Sequence, residues 1–377
     1  MNTNPFVSDD LNYYKLNNCG GTQKMKVVVI GNFTTGNAGD NAILESVVND
    51  INHYMSSPEI IVSGKEYIQL NSPKNIKFIS ISPKKLALGF FSLKLIKEMN
   101  DADIVLMTAG MIFARKLWNW NYSLMATFMP AYIISSFGKK HKLIAYNAGI
   151  TLDGNLLANI IVKSFLNKCA LISFRHNEDY MNVQNNQVKK IKSLDNIFAY
   201  GEPTRKSNNE KKIIGINIAS YTVIKIKDYK KFVIDFIDNI STFFQGEKII
   251  IYQTTYSDTQ FIRKLLSANK KEYEVVDLSL YYYQDIIRHF DNVHLFLGMR
   301  MHSLIFSMKT STPLIGIAYD RKVKSLFTDL NLEQYVVDLS SETISNVIDL
   351  SSYIKDHYDL ISELIYEKST EANKLVC

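Results

Sequence analysis

Arg300 and His302 stand two residues apart in "FLGMRMHSLIFSM", Phe296–Met308, between two stretches whose residues ask to be buried. A guanidinium offers a planar fork matched to phosphate or carboxylate, and an imidazole can give or take a proton near neutral pH. Gly298 ends a strand-like run, Arg300 follows, and His302 opens a helix-like run. A helix start presents unpaired N–H groups and the positive end of the dipole, which suits an anion. The competing reading is a core histidine beside a surface arginine. Placement at a strand end favours chemistry. The next strand-like run repeats the theme: "PLIGIAYDRKVKSLF" leads from Tyr319 and Asp320 into Arg321, Lys322 and Lys324. Arg321 and Lys324 taken singly read as a solvated helix start.

These residues need a scaffold of strand ends, and the chain supplies one. Val27 to Ile30 form a β-branched run that fits a strand buried on both faces of a parallel sheet. "TTGNAGDNAILESVVNDI" then makes a glycine-containing loop entering an amphipathic helix. GxGxxG is absent, so no dinucleotide fingerprint is present. Further strands are expected at "NIKFISI", "ADIVLMTAGMIF", "HKLIAYNAGI" and "CALISFRHNED". After the polar "SNNEKK" a second β/α series starts at "KIIGINIAS". Two such series predict an α/β chain of two Rossmann-like domains facing a cleft, with ligands beyond the carboxyl ends of the strands. The boundaries read as an N-terminal arm over 1–24, domains over 25–205 and 210–340, and C-terminal helices over 341–377.

Totals narrow the class. The 377 residues exceed what one core usually organises. A net charge of +6 without a dense Lys/Arg block argues against a nucleic-acid partner and suits an anionic small molecule or membrane surface. Cys19, Cys169 and Cys377 are scattered, which supports neither a disulfide framework nor a zinc site and predicts a cytoplasmic setting. No metal-ligand cluster is evident. The start of the chain lacks the apolar core of a signal peptide, and no apolar run reaches the ~18 residues of a spanning helix. Two greasy, basic segments, Ser82–Asn100 and the stretch holding Trp118 and Trp120, allow peripheral contact with the inner membrane face, burial in the core or, for the tryptophans, sugar stacking.

"FLGMRMHSLIFSMKTSTPLIGIAYDRKV" resembles the C-terminal signature of the polysaccharide pyruvyl transferase family, an R-L-H element followed by P-x-I-x-I-x-Y and a lysine. "NAGDNAIL" resembles its opening loop, "LISFRHNEDY" its element around Arg175, and "SLDNIF" its D-P-x-F element. Met301 stands where leucine is usual, His176 where an acid usually follows the arginine, and "MTAGMIF" carries one glycine where several are usual. The resemblance implies a glycosyltransferase-B-like fold and transfer of pyruvate from phosphoenolpyruvate to a sugar, forming a cyclic ketal and releasing phosphate, with no cofactor. It implies Arg175, Arg300 and Lys322 as cations for phosphoenolpyruvate and His302 as the acid. Asp40 would hold an acceptor hydroxyl or act as a base, although an aspartate there also suits a helix N-cap. Asn37, Asp40, Trp118 and Trp120 are the acceptor-side candidates, and the acceptor is expected to be a lipid-linked saccharide. Two rivals remain: a nucleotide-sugar glycosyltransferase of the same architecture, using Asp320 or Asp285 on the ribose, and a non-catalytic glycan-binding protein.

Overall fold

Val27 and Val29 are fully buried on one side of a strand, and Val28 and Ile30 on the other. That two-faced burial makes β1 (Lys26–Phe33) the central strand of a parallel sheet. The computed structural model describes residues 25–33, 36–64, 75–79, 93–108, 111–113, 142–150, 163–183, 188–206, 212–220, 224, 227–340 and 342–376. The first sheet also contains β2 (Glu59–Gly64), β3 (Ile76–Ile79), β4 (Ile104–Met107), β5 (Met111–Phe113), β6 (Lys142–Ile150), β7 (Leu171–Phe174) and β8 (Lys189–Lys192). Its order is β3-β2-β1-β4-β6-β7-β8, with β5 paired to β6 off that path. A second parallel sheet, β11-β10-β9-β12-β13-β14, is built from β9 (Ile213–Asn217), β10 (Lys248–Gln253), β11 (Glu274–Asp277), β12 (Val293–Gly298), β13 (Leu314–Ala318) and β14 (Val336–Asp338).

Both sheets are doubly wound. Strand order reverses beside β1, between β2 and β4, and again beside β9, between β10 and β12. Such switch points leave a crevice at the carboxyl ends of the flanking strands. In the second sheet β9 and β12 end level, with Gly298 opposite Asn217.

Helices fill the connections. Those that matter for the site are α1 (Ala38–Tyr54), α2 (Leu93–Asn100), α3 (Asn177–Asn182), α4 (Tyr229–Phe243), α5 (Tyr256–Ala268), α6 (Tyr283–Asp291), α7 (Met301–Lys309) and α8 (Arg321–Asp329). They are followed by α9 (Thr343–Asp356) and α10 (Tyr358–Val376). One hydrophobic cluster runs from Val27, Val29, Ile43 and Val47 through Ile197 and Phe198 to Leu304, Phe306 and the strands of the second sheet. The far face of the first sheet has its own cluster, including Leu95, Phe165 and Phe174. The last helix crosses back. Asn373 donates to the carbonyls of Phe198 (2.8 Å) and Gly201 (3.1 Å), and the buried Lys309 ammonium donates to Phe198 at 2.9 Å. Phe198 and Gly201 belong to the stretch that leaves the first sheet.

Of the greasy segments, only Leu93–Asn100 is described in the first: Leu95 and Met99 are buried and Leu93 is exposed. Trp118, Trp120, Cys19, Cys377 and most of the "SNNEKK" linker lie outside the described residues. No described helix is long and apolar enough to cross a membrane.

Candidate active site

Met299 and Met301 are buried, whereas the Arg300 and His302 side chains keep partial exposure. Arg300 is the N-cap residue of α7, its N–H donating to Asn217 Oδ1 at 2.8 Å, which ties this helix start to the end of β9. The Arg300 side chain is already engaged. Its Nε and Nη2 donate to the two oxygens of Asp258, both at 2.9 Å, and its Nη1 donates to the Tyr319 hydroxyl at 3.0 Å. Asp258 is fully buried in the first turn of α5 and also accepts from Ser220 N at 2.8 Å. Burial works against the arginine's charge, but Asp258 and Tyr319 outweigh it and raise its pKa. The fork expected to meet the donor anion is therefore occupied by a carboxylate of the same half of the chain, from the first turn of α5.

His302 points to the first half of the chain. Its Nε2 lies 3.5 Å from Asp195 Oδ2, an ion-pair distance longer than a good hydrogen bond, and has no hydrogen-bond partner. Arg175 Nη1 donates to the same oxygen at 3.1 Å, while Oδ1 accepts from Ile197 N at 3.1 Å. Burial alone would favour protonated Asp195; His302 first, then Arg175 and the Ile197 N–H, outweigh it and hold the carboxyl well below its usual range. A buried polar network fixes the turn that carries Asp195. Asn196 donates to Thr108 Oγ1 at 3.1 Å and accepts from Asn147, which in turn accepts from Ser173; Ser46 donates to Asn196 O at 3.0 Å.

The opening loop closes the other side. Asn37, not Asp40, is the N-cap of α1, its side chain accepting from Gly39 N at 3.0 Å. The N-cap alternative for Asp40 is thereby overturned, because the helix begins earlier than the aspartate. Asp40 is buried in the first turn, where burial raises its pKa against the pull of His302, Lys322 and Arg175. Ala38 N donates to Thr254 O at 2.8 Å, and Asn37 forms an antiparallel bridge with Thr255, so this loop is sewn to the end of β10. Gly39 lies directly under the imidazole: a Cβ there would come 1.7 Å from His302 Nδ1.

Lys322 is half-buried in the first turn of α8, whose N-cap is Asp320. Burial, then the nearby charge of Arg175, pulls its pKa down to about 8, with Asp40 and Asp320 pulling the other way and Arg300 adding to the fall. Asp40, Arg175, Arg300, His302 and Lys322 thus share one electrostatic neighbourhood. The two halves are also pinned beside it. His176 Nδ1 lies 3.1 Å from Asp329 Oδ2, Asn177 N donates to Asp329 Oδ1 at 3.2 Å, and Arg321 pairs with Asp179 (2.9 Å) and Glu178 (3.0 Å). The residue that departs from the family pattern thus pairs with an acid of the other half. Arg321 is a bridge between halves and not simply a solvated helix start, whereas Lys324 does pair on the surface, with Asp338.

Sequence reasoning passed over Asp195, Asp258 and Asn217. Asp195 lies in "SLDNIF", whose resemblance was visible although no role attached to its acid. Asp258 reads from the sequence as an ordinary first-turn acid, and nothing local marks it as the partner of a residue 42 positions on. The two acids proposed for ribose are engaged elsewhere: Asp320 accepts from Lys322 N at 3.0 Å and Asp285 pairs with Arg288 at 2.8 Å.

Solved structures share the whole architecture at low identity. MnaA of S. aureus bound to UDP aligns with a TM-score of 0.59 and 11% identity over 93% of this chain and 92% of that one. The UDP-GlcNAc 2-epimerase of Neisseria meningitidis bound to UDP-GlcNAc gives 0.57 and 10% over 93% and 97%. The spinosyn rhamnosyltransferase SpnG with thymidine diphosphate gives 0.53 and 10% over 93% and 96%. These likenesses establish the glycosyltransferase-B-like fold. Among curated proteins, none matches the sequence. The profile of the polysaccharide pyruvyl transferase family matches residues 37–321, a span that takes in Asp40, Arg175, Asp195, His302 and the start of α8, and the chain therefore belongs to that family of transferases.

Proposed function

We propose that the protein transfers pyruvate from phosphoenolpyruvate to two hydroxyls of one sugar in a lipid-linked saccharide, giving a cyclic ketal and inorganic phosphate. The observation that carries this reading is the set of cations meeting where the two sheets' loops converge. Arg175 is 3% exposed with its Nε unpartnered, and Lys322 and His302 stand within electrostatic reach of the same carboxylate, Asp40. A buried guanidinium with a spare donor is costly unless an anion arrives to meet it. Phosphoenolpyruvate brings two anionic groups. Arg175 and Lys322 bind them, and Arg300, braced by Asp258, adds positive potential.

In this reaction a proton from His302 adds to the methylene carbon, leaving an oxocarbenium centre at the carbon bearing carboxylate and phosphate. The first sugar hydroxyl attacks and loses its proton. The C–O bond to phosphate then breaks, and the second hydroxyl attacks the same carbon and loses its proton, closing the ketal. One of these protons returns to His302 and the other leaves with phosphate. Asp40, whose carboxyl pKa is raised by burial, is the base we assign to take the second hydroxyl proton and pass it to the departing phosphate. The cytoplasmic face of a membrane is where a lipid-linked acceptor would be met. The test is to incubate the protein with phosphoenolpyruvate and a synthetic glycoside and to follow phosphate release together with ketal formation by mass. Consumption of a nucleotide sugar with no phosphate released from phosphoenolpyruvate would overturn the proposal.

A further inference from the structure

We propose that Asp195 is a positioning residue for the reacting imidazole, and that this pair is assembled from opposite halves of the chain. The expected loss of turnover rests on the pyruvyl-transfer reading; the tautomer of the ring does not. His302 comes from α7 of the second half, whereas Asp195 and Gly39 come from the first. The ring is held on two sides. Its Nε2 faces Asp195 Oδ2 at 3.5 Å, and its Nδ1 edge rests over Gly39, where any Cβ would collide with it. Asp195 itself is 2% exposed and cannot swing, because its other oxygen caps Ile197 N and Asn196 is locked to Thr108 and Asn147.

A carboxylate facing one ring nitrogen favours the tautomer with the proton on that nitrogen and stabilises the imidazolium. The proton held toward Asp195 is therefore the one on Nε2, and the proton given to the methylene carbon is the one on Nδ1. Glycine at position 39 is what lets the ring sit this close to α1, since any side chain there would push Nδ1 away. After transfer the ring is neutral, still carries its Nε2 proton toward Asp195, and is recharged at Nδ1 by a hydroxyl proton. Sharing Oδ2 with Arg175 links the acid to the donor site, since the same oxygen orients both groups.

Asp195→Asn tests this in the full-length protein, because asparagine caps as well as aspartate and can preserve the Ile197 contact. Two-bond ¹H–¹⁵N spectra of the His302 ring should show the Nε2–H tautomer in the wild type and a mixture in the variant. Turnover should fall by about 100-fold or more, while phosphoenolpyruvate affinity stays within roughly tenfold. The double variant Asp195→Asn/His302→Ala should turn over no more slowly than His302→Ala alone, since residues acting as a unit are not additive. Gly39→Ala, which leaves the carboxylate intact, should also lose turnover by displacing the ring. An unchanged tautomer, or additive losses in the double variant, overturns the pairing. A wild-type protein that releases no phosphate overturns the pyruvyl reading instead, and the tautomer spectra then decide the pairing alone.

Discussion

Burial and the neighbouring charge of Arg175 bring the Lys322 ammonium down from an ordinary 10.5 to about 8, inside the range where an enzyme is assayed. The direction of the consequence differs for binding and for stability. Anion binding needs the charged form, so affinity for phosphoenolpyruvate should be level below pH 8 and weaken by up to about tenfold per pH unit above it. Folding responds oppositely: the native state gives up this proton before the unfolded chain does, so between about 8 and 10.5 this group adds stability as pH rises. Calorimetric titrations across about pH 7–10 should show the alkaline loss in the wild type and its absence in Lys322→Arg, whose charge does not titrate. A wild-type affinity that is level throughout would remove Lys322 from the donor site.

At the scale of elements, α3 follows the strand that carries Arg175 and α8 carries Lys322 at its start, so the contact between them sets the spacing of two donor-site cations. Its buried heart is His176 with Asp329, whose side chains are 8% and 5% exposed. Asp329→Ala leaves that imidazole and Asn177 N without their acceptor, which should cost about 1–3 kcal/mol in urea denaturation and weaken phosphoenolpyruvate binding as well. Lys324→Ala, which breaks an exposed pair with Asp338, should change stability by less than about 1 kcal/mol and serves as the comparison. Equal effects of the two changes would sink the idea. This contact also shows what the sequence can and cannot disclose. β1, β9 and β12 were legible because continuous apolar runs announce strands buried on both faces, and the strand-end positions of Arg300, His302 and Lys322 followed from them. The partners were not. Asp258, Asp195 and Asp329 look like routine helix-start, turn and helix-end acids, and only tertiary packing, within a half for Asp258 with Arg300 and between halves for Asp329 with His176, assigns each its partner. Arg300 illustrates the limit: its location was readable, but its fork is filled by an acid from the first turn of α5 that no local pattern singled out.

For the whole molecule, the decisive feature is the hydrophobic cluster that passes through α1, the Asn196–Phe198 turn and α7 without a break between the sheets. The terminal helix reinforces it by binding the carbonyls of Phe198 and Gly201. Scanning calorimetry should therefore give one transition whose calorimetric and van't Hoff enthalpies agree. Two separable transitions would mean that the halves fold independently. The imidazole seated on Gly39 beside Asp195 has a consequence for modularity. Relatives with two-sheet architecture invite the exchange of one half to change donor or acceptor preference. Here a chimera that imports only the second sheet receives a histidine shaped for another protein's glycine and aspartate. The heritable cassette is instead discontinuous: the loop at residues 37–40, the turn at 193–198 and the segment at 298–322 have to travel together, and recombination breakpoints that separate them should yield folded but silent proteins.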